Sequence, residues 1–265
     1  MKLKGETKLL FAATIAAAFG MSASSVLAQN INTVQTTVAS GTAGVSLTSD
    51  PVITAILSAP GTVNGKTYTS WSFLVNDGTG SMDVFGSTLP GGYTPVVGDA
   101  LSLTGTYSPF HQIPEMASLT SLSVVSSGNP LPSIGTSTIP TLNQAVLPYN
   151  VAGYLWQLDN VTVSGQGSGN WGTANSPTGA MISDGANSMT LFYWPTSYSS
   201  ANANMANTPI PTGPVDMVGF VSVFNSVAEF TPISVTSVPE PTTLSLCGIG
   251  GLLLLKLSQR PRRRN

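Results

Sequence analysis

Between residues 29 and 238 apolar and polar positions alternate over short stretches, as at 72–75, 82–85 and 101–107, with Gly, Pro, Asn and Asp bounding each one. Period-two alternation of this length predicts short strands with one buried face, the pattern of a sandwich or barrel. No sustained run at 3.6-residue spacing occurs between the two ends of the chain, so a helical fold is all but excluded. Asp77-Gly78 lies between two such stretches and predicts a tight hairpin, because both residues tolerate the positive φ of a strand-matching turn. Asp184-Gly185 repeats that signal.

The repetition extends beyond the turn. Residues 73–85 run parallel to 180–192, with Asp77 and Asp184, Ser81 and Ser188, Met82 and Met189, and Phe85 and Phe192 in register. Gly105 stands ten residues before Glu115 and Gly219 ten before Glu229, with Phe110 and Phe224 at the same place between them. The second copy is longer between Asp184 and Gly219, and the extra residues fall in the Ser- and Asn-rich stretch 195–211, which reads as a surface loop. Two modules follow from this, at 45–128 and 147–236, joined by a Pro-containing linker at 129–146 and preceded by a Ser/Thr-rich leader at 29–44.

The two ends read differently. Lys2, Lys4 and Lys8 precede an apolar run over 9–19 and small residues ending at Ala28, the order of a secretory signal peptide cleaved after Ala28 by signal peptidase. The run is shorter than the ~20 residues a membrane span takes, which favours the signal peptide, with a short membrane anchor as the alternative. At the other end, 237–265, come Val238, Pro239, Glu240 and Pro241, then a mostly apolar stretch, then Lys256, Arg260, Arg262, Arg263 and Arg264. This order resembles the PEP-CTERM sorting signal of exosortase substrates in Gram-negative bacteria. The resemblance implies processing near 239–241, transient anchoring in the inner membrane through 244–257, and delivery to the cell surface or extracellular matrix, often beside exopolysaccharide. Basic residues flanking an apolar segment hold that end on the cytoplasmic side. An ordinary C-terminal membrane tail is the alternative. Cys247, the chain's one cysteine, reads as a small apolar residue of that stretch, with lipidation as the alternative.

A second resemblance covers most of the mature chain. The stretches 73–85 and 97–105, with Gln112 and Ile113, are similar to the OB-fold modules that accompany secreted bacterial nucleases and surface proteins. The stretch 153–165 is similar to the first strand of such modules in tandem. The fold class implied is all-β: two small OB-like β-barrel modules in tandem, flanked by an N-terminal signal peptide and a C-terminal membrane segment. The helix usual between the third and fourth strands of an OB barrel has no counterpart in 87–95 or 195–211, so loops are expected to cap the barrels.

Composition narrows the chemistry. With one Cys, one His and no Arg before Arg260, the chain is poor in the residue types on which most nucleophilic, metal and phosphoryl-transfer sites draw. Only 8% of the residues are charged. From 29 to 238 a single Lys, Lys66, faces nine carboxylates, a formal charge of −8. Nucleic-acid affinity comes mainly from Lys and Arg on phosphates, so the charge opposes that use of an OB fold. Neutral sugars escape the objection, and Tyr193 and Trp194 beside the long loop are the candidate platform, with a strand-end role as the alternative.

Asp77 and Asp83 flank a hairpin and Asp99 precedes a strand, so turn and edge roles account for them. A weak calcium candidate is Asp77 with Asp83, although EF-hand spacing is absent. His111 stands alone and reads as structural. An enzyme would require Glu115 or Glu229 coupled to a neighbouring Asp in a cleft, at a separation suited to glycoside hydrolysis. No such pair declares itself along the chain. The expectation is therefore an exported, non-enzymatic structural or adhesive protein without a cofactor, the alternatives being a carbohydrate-binding module and an OB-fold binder of nucleic acid.

Overall fold

The computed structural model describes residues 29–63, 66–144, 153–165, 169–171, 180–192, 205, 208–224 and 226–238. Ala28, Tyr193, Trp194 and everything from Pro239 onward, including the arginines at 262–264, lie outside them. The chain opens with α1 (Ile31–Thr37) and β1 (Thr42–Leu47), then β2 (Val52–Ser58), β3 (Gly61–Val63) and β4 (Lys66–Tyr68). Next come β5 (Trp71–Asn76), β6 (Ser81–Gly86), β7 (Ala100–Tyr107) and β8 (Glu115–Ser126). A second set follows: β9 (Gly135–Thr136), α2 (Ile139–Asn143), β10 (Leu155–Ser164), β11 (Met181–Ser183), β12 (Ser188–Leu191), β13 (Val215–Phe224) and β14 (Val227–Ser237).

The expected all-β class is observed. In the first sheet the order is β1-β7-β2-β5-β6-β8, and β7 also pairs with β8. Strands β2, β5, β6, β8 and β7 therefore close into a five-stranded, OB-like barrel, antiparallel except for the parallel pair β6 and β8. The alternation seen in the sequence is its inward face, where β7 buries Leu101, Leu103 and Tyr107 and β2 buries Ile53, while Ala55 and Leu57 of β2 are buried in a separate cluster with Phe220. In the second sheet β10 pairs with β11 and β13, β11 with β12, β12 in parallel with β14, and β14 with β13. That is the same succession of pairings.

Gly105 and Gly219 mark register shifts in β7 and β13, where each strand bends to pair on both sides. A Cβ on Gly105 would lie 2.8 Å from the carbonyl oxygen of Ala117, and one on Gly219 would overlap the carbonyl oxygen of Thr231 and the ring of Phe230. The repeated glycines are thus a steric requirement of closure.

Three expectations need correction. The stretch 29–44 is no detached leader: α1 places Ile31 and Val34, both fully buried, in the first core, and β1 pairs with β7. A seven-residue polar helix is not stable alone, and docking supplies what propensity does not. The linker 129–146 likewise contributes β9, paired with β10, and α2, whose Ile139 and Leu142 are buried in the second core. Finally, the Asp-Gly hairpins are four-residue loops in which only Gly78 and Gly185 take positive φ. The aspartates act through their side chains. Asp77 accepts from the backbone N–H groups of Thr79 and Gly80, and Asp184 from those of Ala186 and Asn187.

The two sheets meet. Ala55, Leu57 and Leu74 pack with Phe220 in a third cluster, joined by Ile113, Leu155 and Ile233. The Ser81 hydroxyl donates to the Gly153 carbonyl at 2.7 Å, the Gly153 N–H to Val221 at 3.2 Å, and the Val223 N–H to the His111 carbonyl at 3.0 Å. Among the described residues no helix is long and apolar enough to cross a membrane; 244–257 lies outside them.

Candidate functional site

Where the two sheets meet they leave a pocket of about 430 Å³. Its frame is built from repeat-equivalent residues: Phe85 and Phe192 at the ends of β6 and β12, Phe110 and Phe224 at the tips beside β8 and β14, and Glu115 and Glu229 on β8 and β14. Leu57, Ile113 and Phe220 add apolar wall, and Ser58, Ser72, Ser222, His111 and Asp83 add polar groups. The sequence repeat, read as evidence of two modules, is also the lining of their shared cavity.

Asp83 departs from its expected turn role. It sits within β6, 8% exposed, and is the direct partner of Glu115 across the parallel pairing with β8. The Ser72 hydroxyl donates to its two oxygens at 2.9 and 3.1 Å. Burial pushes the Asp83 carboxyl up to about 7, against the downward pull of Ser72 and the backbone of Phe73 and Val84. Burial, and then the charge of Asp83, pushes Glu115 up to about 8. Two carboxyls this close cannot both ionise cheaply, so near neutral pH the pair shares a proton. Glu229 is also raised, by burial alone, because Thr190 stands where the first barrel has Asp83.

The mouth is aromatic. His111 and Gln112 form a two-residue turn with φ of 48° and 59°, closed by reciprocal backbone hydrogen bonds between Phe110 and Ile113 at 3.0 and 2.9 Å. Side chains other than Gly, Asn and Asp rarely take this conformation, so the tip stores strain. The hydrogen bond from Val223 holds it, and the His111 ring lies 4.0 Å from Phe110 and 5.0 Å from Phe224, centroid to centroid. His111, which reads as structural in the sequence, therefore lines the pocket.

Asp77 lies elsewhere. Its oxygens accept from the N–H groups of Ile31, Thr79 and Gly80 and the hydroxyls of Ser49 and Thr79. Burial raises its pKa, and the hydrogen bonds from Ser49, Ile31 and Thr79 outweigh this and hold it below the ordinary value. The structure brings Asp83 to Glu115 and leaves Asp77 to anchor α1. Among the described residues no group of three or more His, Cys, Asp or Glu is placed to hold a metal ion. Asp99 is buried and accepts from the Tyr93 hydroxyl at 2.7 Å.

No family model matches the chain, and no curated protein matches it. Among solved structures the chain is similar to a murine DNA-binding protein bound to double-stranded DNA, at 12% identity and a TM-score of 0.33, covering 71% of this chain and 100% of that one. It is similar to the Ifi202 HINa domain in complex with 20-bp double-stranded DNA, at 13% identity and a TM-score of 0.31, covering 68% and 90%. A replication protein A heterotrimer bound to single-stranded DNA is similar at 9% identity and a TM-score of 0.23, covering 86% and 72%. Superpositions this loose carry no argument about function.

Proposed function

We propose that the chain is an exported protein of the cell surface or extracellular matrix with an adhesive, non-enzymatic role, and that its two OB-like modules in tandem hold the ligand between them. Signal peptidase would cut after Ala28 and exosortase would act near 239–241, with 244–257 as a transient membrane anchor. The observation that carries the binding role is the pocket itself, framed in matched pairs by both barrels and opening past Phe110 and Phe224, which are 54% and 46% exposed. Large apolar side chains left this open at a cavity mouth mark a binding site. Exopolysaccharide is the candidate partner that the sorting tail suggests. The net charge argues against nucleic acid.

The test is a panel of soluble glycans, small molecules and single-stranded DNA at two salt concentrations, against the wild type and the double variant Phe110→Ala, Phe224→Ala. The reading expects saturable binding that the variant loses with an unchanged melting temperature. Salt-sensitive DNA binding that ignores the variant would move the function to a barrel face and contradict it.

Asp83 with Glu115 favours a second reading, hydrolysis of a glycosidic bond, since a carboxyl kept neutral beside an ionised one is how such enzymes obtain a general acid. Against it, Asp83 is buried and hydrogen-bonded by Ser72. Release of reducing ends that Glu115→Gln abolishes would establish it.

A further inference from the structure

We infer that the pocket between the barrels takes a small organic cation, an ammonium centre on an apolar body, with the positive charge beside Glu115 and the body against the phenylalanines. This rests on the pocket-binding reading above. The volume of about 430 Å³ is that of a small-molecule site. Phe85, Phe110, Phe192, Phe220 and Phe224 line it, and aromatic faces attract cations, most strongly once desolvated.

Among the described lining residues the carboxyl groups are Asp83, the cross-strand partner of Glu115, with Glu115 and Glu229 themselves; His111 also lines the cavity, and none of the described lining residues is Lys or Arg. Among the described residues none donates a hydrogen bond to the carboxyl of Glu115 or Glu229. Both glutamates are half-buried, so their ionised forms are only partly solvated, and a cationic guest offsets that cost. An anionic ligand would meet three carboxylates. A bare metal ion would need a shell of oxygen ligands that the described residues do not assemble. As the ammonium group enters, the proton shared by Asp83 and Glu115 leaves for solvent, so binding tightens as pH rises from 6 to 9.

Choline and its neutral carbon isostere 3,3-dimethylbutan-1-ol separate charge from shape, and choline carries its charge at every pH. Titrating the full-length chain in detergent by calorimetry, we expect choline to bind at least tenfold tighter than the alcohol at pH 8.5 and the preference to shrink severalfold at pH 6. Glu115→Gln should abolish the preference while leaving the melting temperature at or above that of the wild type. Equal affinities, or a preference that survives Glu115→Gln, would overturn the inference. Neutral glycans bound in a Phe110- and Phe224-dependent way, with choline rejected, would overturn it and leave the pocket reading standing. Rejection of every ligand would overturn both.

Discussion

The two barrels place Glu115 and Glu229 at the same register and differ in the residue across the parallel pairing, Asp83 in the first and Thr190 in the second. Both glutamates are raised by burial, but only Glu115 also feels a neighbouring carboxylate. The matched phenylalanines are common to both halves, so duplication explains the frame of the pocket. The coupled pair explains its polarity and belongs to one half. A frame held in common and chemistry confined to one side is how a two-fold cavity comes to hold a ligand in one orientation.

The repeat can be broken most severely at its glycines. Gly219→Ala should cost ~3 kcal/mol or more, since its Cβ meets backbone at Thr231. Gly105→Ala should cost less, because its closest approach, 2.8 Å to the Ala117 carbonyl oxygen, is a milder overlap and its other close neighbours are side-chain atoms of Leu119 and Met116. Denaturant midpoints of the two variants check the order. Small and equal effects would mean that the barrels do not close as described.

Next in size is a dependence on pH that singles out the first barrel. Asp83 and Glu115 bind protons more tightly folded, at about 7 and 8, than at their ordinary values of 3.8 and 4.5. The stability they contribute is fully present below those ordinary values and is lost as pH rises through the folded ones. Unfolding free energy should therefore fall by about 3 kcal/mol from pH 5 to pH 9, a figure discounted for the partial exposure of Glu115. Glu115→Gln should flatten the profile, and Glu229→Gln should change it less.

The smallest contrast lies in the turns. Asp77→Asn should cost about 1–2 kcal/mol at pH 7, because the carboxylate also holds the N–H of Ile31 at the start of α1. Asp77 is held below its ordinary value of 3.8, so its contribution is present above that value and is lost as pH falls through the folded one. Asp184→Asn touches only its own exposed loop and should cost less. Thermal melts at pH 7 and pH 3 separate the two.

Much of this was legible along the chain. Alternation located β5, β6 and β7, and the register of Gly105, Phe110 and Glu115 with Gly219, Phe224 and Glu229 marked equivalent places in the two copies. What alternation does not reveal is which strands become neighbours. Asp83 and Glu115 are brought together by the parallel pairing of β6 with β8, which has β7 between them in the chain, and nothing local to either residue announces it. The stretches 29–44 and 129–146 read as leader and linker for a related reason: α1 and α2 are short and polar, and Ile31, Val34, Ile139 and Leu142 become core only once a barrel exists to receive them. The pocket is less legible still, because it depends on how the barrels meet at Gly153, Phe220 and the His111 turn.

The most direct test of the shared cavity and its one-sided chemistry is a side-chain carboxyl NMR titration of the wild type and of Asp83→Thr, which gives the first barrel the second barrel's residue. The expected result is a Glu115 midpoint of about 8 in the wild type that falls in the variant, with Glu229 unmoved. A wild-type Glu115 that titrates in the ordinary range, or one indifferent to Asp83→Thr, would contradict the coupled pair on which the site is built.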